Sequence, residues 1–346
     1  MVKADAYGHG AVPVAKTLVD SGFVALGVAT AEEGIELREA GIQTPILVMG
    51  GLWGLGRPAL QEMIRAELTP VVHSVEVLSL IEDAAQKLKQ HLKAHLKIDT
   101  GMSRLGITLQ ALPNLLEVWQ KSPHVTLEGV MTHLAWRDNA EHTRFQIEQF
   151  EIAAHKIQSA LGKIPVWHVA NSAAVIAGDP ITFSFPGEYW VRPGIMLYGA
   201  APYSEWEGKF PLKPVMELQS KVALIKQVPA GTKISYNATF TTSRASRLAV
   251  IPIGYADGYP WACANKGQVL IRGRRHPILG RVTMDMIIVD VTDGPIQVGD
   301  AVVLLGEQGS EKISADEIAQ WAGTIAYEIL CGVSKRMPRS YLEQVA

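Results

Sequence analysis

Along the first two hundred residues, short apolar and β-branched runs alternate with longer stretches whose apolar positions recur three or four residues apart. The first kind fits strands buried on both faces and the second fits amphipathic helices, so the pattern reads as repeated βα units. Strands are predicted over Val24 to Ala29, Pro45 to Met49, Leu68 to Val72, Ala94 to Ile98, Leu127 to His133, Val166 to Ala170 and Gly194 to Tyr198. Helices are predicted over Ala31 to Ala40, Val75 to Leu92 and Ala140 to Leu161, with Phe145, Phe150, Ala153, Ile157 and Leu161 marking the apolar face of the last. A remnant strand ending at Val2-Lys3 brings the strand positions to the number that a (β/α)8 barrel of the TIM type requires, with an incomplete first strand. The alternative is an open doubly wound sheet. It is disfavoured because no GxGxxG follows the first strand and because chemically loaded residues stand at the ends of several strands.

After about residue 213 the pattern changes to strands punctuated by turn signals: Val228-Pro229-Ala230-Gly231, Asp257-Gly258, Arg272-Gly273, Asp293-Gly294-Pro295 and Val298-Gly299-Asp300. One late helix is announced by Ser314 followed by Glu317, a capping-box spacing. The expected organisation is therefore an α/β barrel domain over residues 1–213 and a mainly β domain over residues 214–346. Pro211-Leu212-Lys213-Pro214 is the expected hinge.

Apolar residues at 48% and charged residues at 19% place the chain among globular proteins with a sizeable core. A net charge of −2 and an isoelectric point near 6.6 give no electrostatic reason for nucleic acid or anionic membrane as a partner. Cys263 and Cys331 form neither a disulfide framework nor a zinc motif, so no metal is expected and a cytoplasmic setting is the default. No apolar run approaches the ~20 residues of a spanning helix, so no membrane role is expected. Small-molecule chemistry is left.

The most informative segment is Lys3-Ala4-Asp5-Ala6-Tyr7-Gly8-His9-Gly10. It pairs a lysine suited to a Schiff base with a tyrosine and with glycines that let backbone approach a ligand, although an isolated lysine is more often a solvated charge. Arg104 sits in a glycine-bounded loop just after a strand, and Lys97 lies inside that strand, where a lone ammonium needs a partner or a modification. His133 ends another strand, where a satisfied core histidine is the plain alternative. His168 to Ala174 runs from a strand into a helix start, and Asn171 with Ser172 offers either phosphate donors or an ordinary helix cap. Arg192 cannot in practice lose its proton, so a pyridine nitrogen facing it would stay unprotonated. Tyr255 in Gly254-Tyr255-Ala256-Asp257-Gly258, the pair Met284-Asp285, and Tyr327 complete the set, each unremarkable alone.

Taken in order from Lys3 to Arg339, these segments resemble the alanine racemase family of pyridoxal-phosphate enzymes. The resemblance implies an isomerase that interconverts L- and D-alanine and supplies D-alanine for peptidoglycan. It implies that Lys3 carries pyridoxal 5'-phosphate and acts as one acid/base group, while Tyr255 of the partner subunit is the other. Cofactor contacts then fall to Tyr7, Arg104, His133, Asn171, Ser172, Arg192, Gly194, Ile195 and Tyr327. Arg104, Met284 and Asp285 fall beside the substrate carboxylate, and Lys97 matches a position carbamylated in some members. Thr283 stands where some relatives have cysteine. A homodimer with shared active sites is implied. The family also places a helix and most of the first barrel strand before the lysine, which implies an open seam here. A decarboxylase of the same fold type would need an acidic residue where Arg192 stands. A racemase of broader substrate range and a truncated, non-catalytic cofactor-binding relative are the remaining alternatives.

Overall fold

The computed structural model describes residues 1–52, 56–178 and 184–342. They form two compact units: Met1–Ala6 with Gly10–Gly194, and Tyr7–His9 with the chain from Ile195 onward.

In the first unit, α1 (Lys3–Tyr7) and α2 (Ala11–Asp20) precede β1 (Leu26–Val28), α3 (Ala31–Glu39), β2 (Ile46–Val48), α4 (Arg57–Arg65), β3 (Thr69–Val72), α5 (Val75–Leu88) and β4 (Leu92–Lys97). Then come α6 (Leu112–Gln120), β5 (Val125–Met131), α7 (Ala140–Leu161), β6 (Val166–Asn171), α8 (Ser172–Ala177) and β7 (Glu188–Arg192). The seven strands pair in parallel and in sequence order, with no switch point, which overturns the doubly wound alternative and gives the winding of a barrel. At the seam, the Val2 N–H donates to the Gly27 carbonyl of β1, and the Met1 nitrogen donates to the Pro193 carbonyl just after β7. Residues 1 and 2 thus stitch the two edge strands, although they are too few to form a strand.

Three expectations need correction. Ile195–Tyr198 is a 3-10 turn rather than a strand, and the seventh strand is Glu188–Arg192. Pro193 has no N–H to give a ladder, so pairing stops before the apolar run that suggested a strand. The helix begun at Val75 ends at Leu88, capped by Lys89 in the left-handed region, and Leu92 already belongs to β4. In α7 the buried face runs through Thr143, Gln146, Phe150, Ala153, Ala154 and Ile157, whereas Phe145 is exposed. Gln146 takes the core position because its amide has work there: it receives the Ala135 N–H and donates to the Thr100 hydroxyl and the His133 carbonyl.

The second unit is mainly antiparallel β. One sheet has the order β15 (Ile287–Asp290), β12 (Ser246–Ile251), β9 (Leu224–Val228). Another has the order β14 (Arg274–Pro277), β13 (Gln268–Ile271), β16 (Ala301–Gln308), β17 (Glu311–Ile313), with β8 (Leu218–Lys221) also on β16. A small hairpin joins β10 (Lys233–Ile234) to β11 (Phe240–Thr241). Arg272 and Gly273 make the tight turn between β13 and β14, both with positive φ as such a turn demands. Two helices follow, α9 (Ala315–Ala322) and α10 (Ala326–Gly332). Ser314 caps α9 by accepting the Glu317 N–H, but the Glu317 carboxylate turns to Arg275 instead of closing a full capping box. Residues 7–9 join this unit because Arg339 donates twice to the Gly8 carbonyl and the Tyr341 hydroxyl donates to the His9 carbonyl. A Cβ on Gly8 would lie 2.1 Å from the Leu330 carbonyl oxygen, so only glycine fits.

Among the described residues, no helix is long and apolar enough to cross a membrane.

Candidate active site

The carboxyl ends of the barrel strands collect Lys3, Lys97, His133, Asn171, Ser172, Arg192 and Gly194. Lys3 opens a turn in which Ala4, Asp5, Ala6 and Tyr7 all have φ between 52° and 54°. Four successive non-glycine residues in the left-handed region cost roughly 1–2 kcal/mol each, so the surroundings must over-determine the turn. They do so at both ends. The Glu33 carboxylate receives the Ala4 N–H at 2.6 Å and the Ala29 N–H at 2.7 Å, and Asp5 receives the Ala11 N–H at 2.7 Å and, through its carbonyl, the Gly10 N–H. Glu33 also closes a capping box with Thr30 at the start of α3. Lys3 is therefore held, half-buried, by charge-assisted bonds to its own turn.

Lys97 is the last residue of β4 and is buried. Beyond it, the Asp99 carboxylate receives the Gly101 and Ser103 N–H groups, and the Ile107 N–H returns to the Lys97 carbonyl, so the loop folds back and leaves Arg104 exposed at its tip. Gly106 allows that return: a Cβ there would lie 2.6 Å from the Asp99 nitrogen.

Arg192 ends β7 with its guanidinium buried. One terminal nitrogen donates to the His168 carbonyl at 2.6 Å, and the other donates to the carbonyls of Thr132 at 2.6 Å and Val169 at 3.1 Å. It thus ties the ends of β5, β6 and β7, while no hydrogen bond among the described residues engages its Nε–H. Behind it the buried rings of His95 and His168 meet nitrogen to nitrogen at 2.8 Å. Asn171, rather than Ser172, caps α8 by accepting the Ala174 N–H, and its amide donates to the Leu134 carbonyl. Ser172 is left to accept the Gly194 N–H at 2.7 Å, which joins the ends of β6 and β7.

The electrostatics are mainly cationic, with Asp99 pulling the other way at Lys97. Burial, then the charges of Arg104 and Arg192, pull Lys97 down to about 8; burial, then Arg192, Lys97, Arg104 and Lys3, pull His133 down to about 3. Burial pulls Arg192 down to about 10, so it stays charged at neutral pH whereas His133 is neutral. Between about 8 and 10.5 the unfolded chain holds the Lys97 proton that the fold has lost, so this group's stability contribution rises with pH across that window. A cluster of cations that lowers its own members' proton affinity is built to receive an anion.

The second unit holds the remaining candidates in two groups. Tyr7 stacks on Tyr198 with ring centroids 4.9 Å apart, and Tyr327 lies 6.2 Å from Tyr7. Burial raises Tyr7 to about 12 and pushes Tyr327 higher, so both phenols remain hydrogen-bond donors. Ile195, at the head of the 3-10 turn, is fully buried. Elsewhere, Tyr255 opens a 3-10 turn over Tyr255–Asp257 and is 45% exposed. Its N–H donates to the Thr283 carbonyl and the Ala256 N–H to the Met284 carbonyl. A Cβ on Gly254 would sit 2.2 Å from the Thr283 oxygen, so glycine is needed for that approach. The Thr283 hydroxyl donates to the Met286 carbonyl and accepts the Met286 N–H, which shapes the loop presenting Met284 and Asp285.

Glu33, Gln146 and the His95–His168 pair escape sequence reasoning. Only Glu33 carried a usable signal, the Thr30-x-x-Glu33 spacing before a helix.

A ring of strand-end cations, hydroxyls and backbone donors on a parallel β/α winding defines an enzyme site of the barrel type made for an anionic ligand. The sequence matches the alanine racemase N-terminal domain over residues 1–202 and the alanine racemase C-terminal domain over residues 215–341. An alanine racemase of Halothermothrix orenii is 44% identical over 349 residues, covering 100% of this chain and 90% of its own length. The alanine racemase of Bacillus anthracis with bound L-Ala-P superposes with a TM-score of 0.88 at 35% identity, covering 99% of this chain and 87% of that one. The enzyme from Bartonella henselae with covalently bound pyridoxal phosphate gives 0.84 at 32% identity, covering 99% and 91%. The chain belongs to the alanine racemase family, a family of isomerases.

Proposed function

We propose that the protein interconverts L- and D-alanine with pyridoxal 5'-phosphate held at the barrel-strand ends, and so supplies D-alanine for peptidoglycan in the cytoplasm. The observation that carries this is the cation cluster, opposed at Lys97 only by Asp99, around a guanidinium whose Nε–H has no partner among the described residues. That donor suits an unprotonated pyridine nitrogen, and the cationic surroundings suit a phosphate. When bound, the cofactor draws electrons away from the substrate's Cα–H bond and makes the α-proton removable.

The protein's own groups do the rest. Lys3 anchors the cofactor covalently and moves a proton on one face of the substrate. Tyr255 of the partner subunit moves a proton on the opposite face, so removal on one side and delivery on the other inverts the centre. Ser172, Tyr7, Tyr327 and the backbone of Gly194 and Ile195 hold the phosphate, with Asn171 fixing the turn that carries Ser172. Neutral His133 packs against the ring. Arg104, together with Met284 and Asp285 of the partner subunit, orients the substrate carboxylate. A homodimer follows, because Lys3 and Tyr255 serve one site from two chains. The barrel domain is taken to end near residue 213, a boundary consistent with the gap between the two family matches.

Tyr255 is tested by isotope exchange. Net racemisation cannot slow in one direction alone, since the equilibrium constant is fixed, but α-proton exchange can. Tyr255→Phe should cut solvent-deuterium exchange from one enantiomer by about 10²-fold or more and leave exchange from the other in place. Equal loss from both enantiomers would refute the two-base assignment.

Lys97 is assigned as a carbamate that pairs with Arg104. Its neutral amine adds carbon dioxide and releases a proton, so formation strengthens as pH rises through about 8. Because Arg104 is exposed, the pair contributes at most about 1 kcal/mol, so carbon-dioxide-free buffer should raise KM by about fivefold. Bicarbonate should restore it, and Lys97→Ala should show no response to either.

A further inference from the structure

Arg336 lies in the segment after α10, outside every group discussed so far, yet it reaches both loops proposed to enter the partner's site. Its Nε donates to Asp257 Oδ1 at 2.7 Å and its Nη2 donates to Asp285 Oδ1 at 2.8 Å. Asp257 closes the 3-10 turn of Tyr255 and is buried, and its other oxygen receives the Gly254 N–H at 2.8 Å. The Ser334 N–H donates to the Asp257 carbonyl at 3.0 Å, which fixes the base of the arginine's own segment to the same turn. Gly258 completes the fit, since a Cβ there would lie 2.2 Å from the Gly332 carbonyl oxygen. Among the described residues, Arg336 is the one ion-pair partner of Asp257.

We propose that Arg336 is a positioning residue that clamps the Tyr255 turn to the Met284-Asp285 loop, so that the proton-transfer phenol and the carboxylate-facing loop enter the partner's site as one body. The inference rests on the two-base reading above. The two loops already share the backbone bonds from Tyr255 to Thr283 and from Ala256 to Met284. Two bonds let the loops pivot about each other. A planar guanidinium held by a carboxylate from each loop removes the pivot, and a lysine ammonium cannot reproduce that fork. Tyr255, Met284 and Asp285 are all exposed on this chain, so little else fixes their mutual position.

The test uses the full-length holoenzyme with Arg336→Ala, Arg336→Lys, Tyr255→Phe and the double variant Tyr255→Phe/Arg336→Ala. Arg336→Ala should slow α-proton exchange from the Tyr255-dependent enantiomer by about 100-fold, the scale of a misplaced reacting group, and slow the other enantiomer, which needs only the Met284-Asp285 loop, by no more than about tenfold. Arg336→Lys should keep a smaller loss of the same asymmetry, which preserves the test if the alanine variant fails to fold. In the double variant, Arg336→Ala should add no more than about twofold to Tyr255→Phe. A second readout is independent of turnover: backbone amide exchange at Tyr255 and Ala256 should quicken in Arg336→Ala while the amides of β12 keep their protection. Equal slowing from both enantiomers, a full additional loss in the double variant, or unchanged amide exchange overturns the proposal. If Tyr255→Phe itself shows no asymmetry, the two-base reading fails instead.

Discussion

Lys3→Ala is expected to lower racemisation by about 10⁴-fold or more, because one substitution removes both the covalent anchor and one of two acid/base groups. Borohydride treatment of the wild-type holoenzyme should fix the cofactor to Lys3 as a stable secondary amine, found by peptide mapping, and the alanine variant should give no adduct. An adduct on another lysine, or a variant keeping more than a small fraction of activity, would remove Lys3 from its assigned role. The structure bears on this directly. The Glu33 carboxylate on the Ala4 N–H and the Val2 N–H on the Gly27 carbonyl hold the lysine's backbone from both sides. Those bonds weigh against the reading of a frayed, non-catalytic relative.

Arg192→Met should cost about 3 kcal/mol of stability, seen as a lower urea midpoint with an unchanged slope when unfolding is followed by the fluorescence of Trp167 and Trp190. Two effects compete. Removing a desolvated charge is favourable, but three strand-end carbonyls, of Thr132, His168 and Val169, lose their charged donor at once. A buried carbonyl left without a partner costs about 1–3 kcal/mol, so the loss of three outweighs the relief. The variant should also bind pyridoxal phosphate more weakly, since the unengaged Nε–H disappears with the side chain. A midpoint equal to wild type would mean that water takes over all three carbonyls and that the guanidinium does not tie the strands.

Much of the barrel was legible because a strand buried on both faces writes itself as a continuous apolar run, and β1, β2 and β3 fall inside the predicted spans. The seventh strand was not, because Glu188–Arg192 is largely exposed and carries no such run, whereas the apolar Ile195–Tyr198 is buried without pairing. Phe145 was misread for a related reason. Helical periodicity allows two registers one residue apart, and the choice fell to Gln146, whose amide satisfies groups from two loops. Motif spacing singled out Lys3, Arg192 and Tyr255 but gave no hint of Glu33's second bond or of Arg336, which act across 29 and 79 or fewer positions of chain through polar contacts that no local pattern encodes.

The βα alternation, the change to a β domain and the identity of the chemically able residues are written in the amino-acid order, because periodicity, turn chemistry and side-chain type are local properties. Which of them act on one another is set by the fold. The stitching of β1 and β7 by two residues, the left-handed turn beneath Lys3, the burial and then mutual repulsion that lower Lys97 and His133, and the bridging of two loops by Arg336 all depend on distances between parts of the chain far apart in sequence. Coulomb and hydrogen-bond energies follow spatial separation, and separation in space is what folding sets.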